Sequence, residues 1–211
     1  MTFRLINHSE GISKATLLLA HGAGAPMDHP FMEHIATGLS NAGWTIVRFE
    51  FPYMALRRQN GRKRPPDRLN ILQDAFKSEV ALLDRSVPCV IGGKSMGGRI
   101  ASLIIDDLAQ NFDLKACLCL GYPFHPIGRP SVLRTDHLES LRTPTLIVQG
   151  ERDPMGSFGE VNNYSISDTI ELSWIKDGDH NFKPRKSSGL TEAENIDSAI
   201  KAVNLFLENS I

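Results

Sequence analysis

The 211 residues are 41% hydrophobic and 22% charged, and 23 Lys+Arg against 24 Asp+Glu leave a formal net charge of -1. A disordered polyelectrolyte, which pairs low apolar content with high net charge, is excluded, and three cysteines are too few for a disulfide scaffold. No apolar run reaches the roughly 18 residues of a membrane helix, and the opening MTFRLINH lacks the apolar stretch of a signal peptide. The expectation is one globular domain over residues 1–211, cytoplasmic and with no membrane partner.

Taken in chain order, short apolar runs alternate with amphipathic stretches. Strands are expected at 3–6, 15–20, 44–49, 89–91, 116–120, 145–148 and 170–175. Most of these runs are apolar on both faces and stop at glycine, which is the pattern of a parallel sheet covered on both sides. Helices are expected at about 30–41 and along three stripes: Leu69, Leu72, Phe76, Val80 and Leu83; Ile100, Leu103, Ile104 and Leu108; Ile196, Ile200, Val203 and Leu207. Before the last stripe, Thr191 and Glu194 have capping-box spacing. The alternation predicts an α/β fold with a mostly parallel central sheet and helices on both faces. The segment 57–68 holds six cations against Asp67 alone, a local +5 that leaves −6 for the rest of the chain. Its Pro- and Arg-rich part, 57–66, reads as a loop.

Directly after the strand at 89–91 comes Gly92-Gly93-Lys94-Ser95-Met96-Gly97-Gly98, followed by the stripe beginning at Ile100. A sharp strand-to-helix turn holds its central serine strained and exposed. Flanking glycines are needed because side chains there would strike the neighbouring strand and helix. A serine hydroxyl needs a base, and the base needs an orienting acid. On such a sheet the order along the chain is serine, acid, histidine, each at the carboxyl end of a strand. Asp153 follows the strand at 145–148, and His180 follows the strand at 170–175. Glu151 is a rival acid. Asp177 and Asp179 flank His180 too closely and suit turn formation. His125 lies on the loop after the strand at 116–120, and the chain order disfavours it as base. His8, His34 and His137 read as surface residues.

An oxyanion needs two amide donors. Met96 follows the serine, and the small-residue loop His21-Gly22-Ala23-Gly24 follows the strand at 15–20. Ala23 is assigned as the second donor, with Gly24 the alternative, and His21 reads as a structural histidine. The connection 121–143 is too short for a lid domain, so the expected pocket is open and shallow, bordered by Gly24, Met27, Tyr122, Pro123, Phe124 and His125. Such a pocket favours a small or protruding ester or thioester. The basic segment suggests three roles: attracting anionic substrates, binding nucleic acid, or simply solvating a loop. The absence of interleaved aromatics disfavours nucleic acid. Cys89, Cys117 and Cys119 read as buried, reduced thiols. The scattered histidines imply no metal site, and no cofactor is expected.

Five stretches together, 21–25, 93–99, 121–126, 149–154 and 178–180, resemble the α/β-hydrolase superfamily. The resemblance runs from His21 to His180. Within it the chain is similar to small bacterial hydrolases related to dienelactone hydrolases, whose eukaryotic relatives include testis-expressed proteins and a hydrolase-like subunit of a chromatin-modifying complex. The resemblance implies nucleophile Ser95, acid Asp153 and base His180. Dienelactone hydrolases carry a cysteine where this chain has Ser95. Carboxylic ester or thioester hydrolysis through an acyl-enzyme is the expected activity. The alternatives are a non-catalytic scaffold, or a peptidase or acyltransferase using the same three residues.

Overall fold

The computed structural model describes residues 3–211. Seven strands build one sheet: β1 (Arg4–Asn7), β2 (Thr16–Ala20), β3 (Thr45–Phe49), β4 (Cys89–Lys94), β5 (Leu114–Leu120), β6 (Thr145–Gly150) and β7 (Ile170–Ile175). Their order is β1-β3-β2-β4-β5-β6-β7. Only β1 runs antiparallel to its neighbour. Every expected strand is present, and β4 runs on to Lys94, the residue before the elbow serine.

The helices are α1 (Pro30–Asn41), α2 (Pro52–Asn60), α3 (Leu69–Val80), α4 (Met96–Leu108), the single turn α5 (Phe158–Val161) and α6 (Glu192–Ser210). Alternation within β2 explains the two-sided cover. Leu17 and Leu19 join the core under α1 and α6, with Ile35, Leu39, Ala199 and Val203. Leu18 and Ala20 join the core under α3 and α4, with Leu72, Phe76, Ile100 and Ile104. Thr191 and Glu194 close the capping box that starts α6. Pro30 starts α1, where its fixed φ costs nothing. Cys89, Cys117 and Cys119 are free and buried.

One expectation is corrected. The segment 57–66 is not all loop: Arg57 and Arg58 form the last turn of α2, which ends at Gly61 with φ 70. The reason is tertiary. Arg58 grips the fully buried Glu50 carboxylate at 2.6 Å and Asp28 at 2.9 Å, which draws the basic segment back over the sheet end. The connection between β5 and β6 carries only a single 3-10 turn, Asp136–Leu138, and no lid domain. Among the described residues, no helix is long and apolar enough to cross a membrane.

Strand order reverses between β2 and β4. The chain leaves β2 towards β3 on one side, and leaves β4 towards β5 on the other. Loops after these two adjacent strands therefore diverge and leave a crevice above their carboxyl ends. An aromatic cluster supports the β3 side of that crevice: Phe76 packs at 5.0 Å from Phe49 and 6.3 Å from Phe51, ring centre to ring centre. Phe76→Ala is expected to lower unfolding stability by about 3–5 kcal/mol, read from urea denaturation with an unchanged m value.

Candidate active site

Ser95 sits between β4 and α4 with φ 51 and ψ −112, a sparsely populated conformation for a side-chain-bearing residue. Its backbone is held from both directions: its amide donates to Leu120 O at 2.9 Å, and its carbonyl accepts from Arg99 N at 3.0 Å. The sequence around it is dictated by crowding. A Cβ on Gly97 would lie 2.5 Å from the Ala20 carbonyl oxygen, and one on Gly93 would overlap the same oxygen. Any side chain at either position pushes β2 away from the elbow.

His180 and Asp153 come to Ser95 from the ends of β7 and β6. His180 Nε2 lies 2.9 Å from Ser95 Oγ, and His180 Nδ1 lies 2.7 Å from Asp153 Oδ2. Asp153 is fully buried, while 23% of the His180 side chain is exposed. Two further donors satisfy the carboxylate: Gln149 Nε2 reaches Oδ2 at 2.9 Å and Met155 N reaches Oδ1 at 2.8 Å. The rival acid Glu151 is occupied otherwise. It accepts the Asp177 amide at 2.7 Å and so braces the histidine loop. Asp177 and Asp179 shape that loop. Asp177 takes Arg185 and Arg152, and Asp179 Oδ1 takes the amides of Asn181 and Lys183.

The loop after β2 is pinned through its carbonyls. His21 Nδ1 donates to Gly22 O at 2.7 Å, Tyr53 Oη to Ala23 O at 2.9 Å, and Arg57 to Gly24 O at 3.2 Å. His21 Nε2 meanwhile accepts the Phe51 amide at 3.1 Å, which fixes the tautomer. Burial pushes the His21 pKa down and keeps the ring neutral. In a trans peptide the N–H points opposite to the C=O. Holding Gly22 O and Ala23 O on the His21 and Tyr53 side therefore turns the amides of Ala23 and Gly24 the other way. The Ala23 and Met96 amides donate no hydrogen bond among the described residues.

A model of the alpha/beta hydrolase domain matches residues 13–208. The chain belongs to the α/β-hydrolase family. Solved structures agree on the fold. An alpha-beta serine hydrolase homologue from Coxiella burnetii superposes with TM-score 0.71 at 19% identity, over 96% of this chain and 91% of that one. A lidless serine hydrolase of the same class from Xanthomonas campestris gives TM-score 0.72 at 17% identity, over 99% and 88%. A dienelactone hydrolase from Anabaena variabilis gives 0.72 at 16%, over 100% and 92%.

Two clefts open on Ser95. The first, about 360 Å³, is lined on its apolar side by Phe31, Met32 and Ile127, with Gly22, Ala23, Gly24, Lys94 and His180 around the serine. The second, about 380 Å³, runs over Met96 and Pro123 towards Arg99 and Arg134. Ala23, Ser95 and Met155 border both. Of the expected pocket residues, Gly24 and Pro123 reach a cleft. Met27, Tyr122, Phe124 and His125 do not, because the loop after β5 folds back into the core. Tyr122 Oη donates to Arg134 O, Phe124 packs edge-on against Tyr122 at 4.8 Å between ring centres, and His125 Nδ1 donates to Pro126 O. Met27 is buried, its carbonyl held by Arg48. Ile127 and Met155 stand at the clefts instead.

Two residues absent from the sequence-level site hold the geometry. Gln149, which follows the apolar run Leu146–Val148 of β6, donates to Asp153, Tyr122 O and Gly156 O and accepts the Tyr122 amide. Lys94 donates to His180 O at 2.6 Å from inside the sheet end, with Phe31 5.4 Å away. Burial pushes the Lys94 ammonium down from 10.5 to about 8, despite the favourable charges of Asp153 and Asp179. Between those two values the unfolded chain binds a proton that the folded chain does not, so this group makes stability rise with pH. The cost of the buried charge, about 3 kcal/mol, is fully present below pH about 8 and fades towards about 10.5. Lys94→Met is expected to flatten that rise. Guanidinium unfolding of both proteins across this pH window measures it, and equal slopes would contradict the assignment.

Proposed function

We propose that this hydrolase cleaves small carboxylic esters or thioesters through an acyl-enzyme on Ser95. The reading rests on one observation: an unbroken hydrogen-bonded chain from Ser95 Oγ through His180 to the buried Asp153. His180 Nε2 takes the hydroxyl proton as Ser95 Oγ attacks the carbonyl carbon. Asp153 holds the Nδ1–H tautomer and stabilises the imidazolium as it forms. The amides of Ala23 and Met96 hydrogen-bond the tetrahedral oxyanion. Collapse expels the alcohol or thiol, which takes the proton from His180. Water then attacks the acyl carbon with His180 again as base, releasing the acid and restoring Ser95.

His21 and Tyr53 support this chemistry indirectly, since they hold the peptide whose amide serves the oxyanion. The scaffold alternative has no use for a buried acid with all its partners in place, so the catalytic reading is preferred. The open clefts, with no lid over them among the described residues, suit a small or protruding substrate.

Labelling by a fluorophosphonate probe tests the nucleophile. Wild type is expected to label, and Ser95→Ala to lose labelling completely while keeping its fold. A folded wild type that resists the probe would return the protein to the scaffold reading. Asp153→Asn, which imposes the wrong tautomer on His180, is expected to lower kcat for a p-nitrophenyl ester by roughly 10³–10⁴. A panel of ester, thioester and amide substrates then separates esterase and thioesterase from peptidase chemistry.

A further inference from the structure

The second cleft at Ser95 has a chemical character that the acyl-transfer reading leaves unused. Two guanidiniums line it, Arg99 from the first turns of α4 and Arg134 from the β5–β6 connection. Neither side chain makes an ion pair or a hydrogen bond among the described residues. Arg99 Nε is buried with no hydrogen-bond partner among the described residues, a state shared by Arg48 Nε and His125 Nε2, neither of which lines a cleft at Ser95. A buried donor left in this way costs free energy, and folded proteins normally satisfy it.

The surroundings do not supply the missing anion. His137 is half-buried rather than a surface residue, with Nε2 2.9 Å from Ser102 Oγ. Burial and then the Arg99 charge push it down to about 4, so it is neutral near pH 7. Burial and then Arg99 also lower the pKa of Arg134, which means the two cations feel each other. One carboxylate, Asp67, lines the same cleft, but it forms no ion pair with either arginine and holds the Tyr53 amide at 2.9 Å. The conspicuous basic segment is a poorer candidate. Arg58 is neutralised by Glu50 and Asp28, and Arg57 is tied to Gly24 O. Arg62, Lys63 and Arg64 are exposed to solvent, where attraction is screened.

We propose that Arg99 and Arg134 form an anion subsite beside Ser95, which takes a free carboxylate carried by the substrate. The proposal rests on Ser95 being the nucleophile. With the scissile carbonyl at Ser95, one arm of the substrate meets Phe31, Met32 and Ile127, and the other meets the two guanidiniums. A guanidinium presents paired N–H groups that match a carboxylate edge. The substrate class is therefore a monoester or monothioester of a short dicarboxylic acid. Hydrolysis adds water across the acyl bond, releasing the dicarboxylate and the alcohol or thiol.

The test compares kcat/KM for mono-p-nitrophenyl glutarate and neutral p-nitrophenyl butyrate. Wild type is expected to favour the anionic ester by roughly tenfold or more, and the preference to shrink as salt rises. Arg99→Gln and Arg134→Gln should each reduce that preference, and the double variant should abolish it. Hydrolysis of both esters by wild type with no preference, or a preference that survives both substitutions, overturns the proposal. If Arg99→Gln does not fold, Arg134→Gln carries the comparison, because that loop is anchored through the Arg134 backbone. Calorimetric binding of glutarate to Ser95→Ala supplies a readout that needs no turnover. Glutarate binding that is lost in the arginine variants, with no ester hydrolysed by wild type, keeps the subsite and discards the esterase reading. Butyrate ester hydrolysis without any glutarate effect does the reverse. Stronger binding of inorganic phosphate than of glutarate would replace the carboxylate by a phosphate-bearing substrate and overturn the dicarboxylate class.

Discussion

The Ala20 carbonyl leaves no room for a Cβ on Gly93 or Gly97, and much of the site follows from that contact. β2 and β4 lie side by side at the point where the sheet reverses its strand order, so the loops above them part. The serine turn must pass through the narrow base of that gap. Only glycine fits there, and only a turn this tight leaves Ser95 at φ 51, facing the crevice instead of packing into the core. The strain at Ser95 is offset locally by the bonds to Leu120 O and from Arg99 N, and more broadly by α4 packing on β4 and β5.

Around that fixed point, the other groups are positioned by polar ties between loops that are far apart in sequence. Gln149 joins the end of β5 to the Asp153 turn. Glu151 and Lys94 hold the histidine loop from two sides, through the Asp177 amide and the His180 carbonyl. His21 and Tyr53 do the same for the loop after β2. These bonds lie in a water-poor region, where each is stronger and where a missing partner is costly. Arg99 Nε, like Arg48 Nε and His125 Nε2, is an exception to that satisfaction, and of the three it alone borders a cleft at Ser95, where Arg134 also lies and Asp67 pairs with neither arginine.

Much of the fold was legible because its signals are local. Runs that are apolar on both faces mark strands that helices must cover, and the stripes beginning at Leu69, Ile100 and Ile196 mark helices with one buried face. Ser95, Asp153 and His180 stood out as candidates because each lies just beyond the end of an expected strand, in the chain order this sheet requires, although β7, with Glu171 and Ser173, is not apolar on both faces. Arg57 and Arg58 were misread as loop, since neighbouring prolines and arginines outweigh the helical tendency until Glu50 is known to lie beneath Arg58. Tyr122, Phe124, His125 and Met27 were misplaced for a related reason. A residue after a strand end can turn towards the cleft or fold back, and here Tyr122 Oη and the Arg134 backbone carry the segment inward.

The sequence by itself determined the α/β alternation and the glycine-flanked elbow, and it set a serine, an acid and a histidine just beyond three strand ends, because these depend on patterns within a few residues. Only the tertiary structure decided what surrounds them. Lys94 and Gln149 look unremarkable in the chain, and they matter because a carbonyl or carboxylate from another strand end lies within hydrogen-bond reach. Charge behaves in the same way. The net value of -1 conceals a basic segment that is partly neutralised within the fold, while the unpaired cations beside Ser95 come from two distant positions, Arg99 and Arg134. Hydrophobic periodicity is written along the chain, but electrostatic pairing depends on distances of a few ångströms across it, and folding alone sets those.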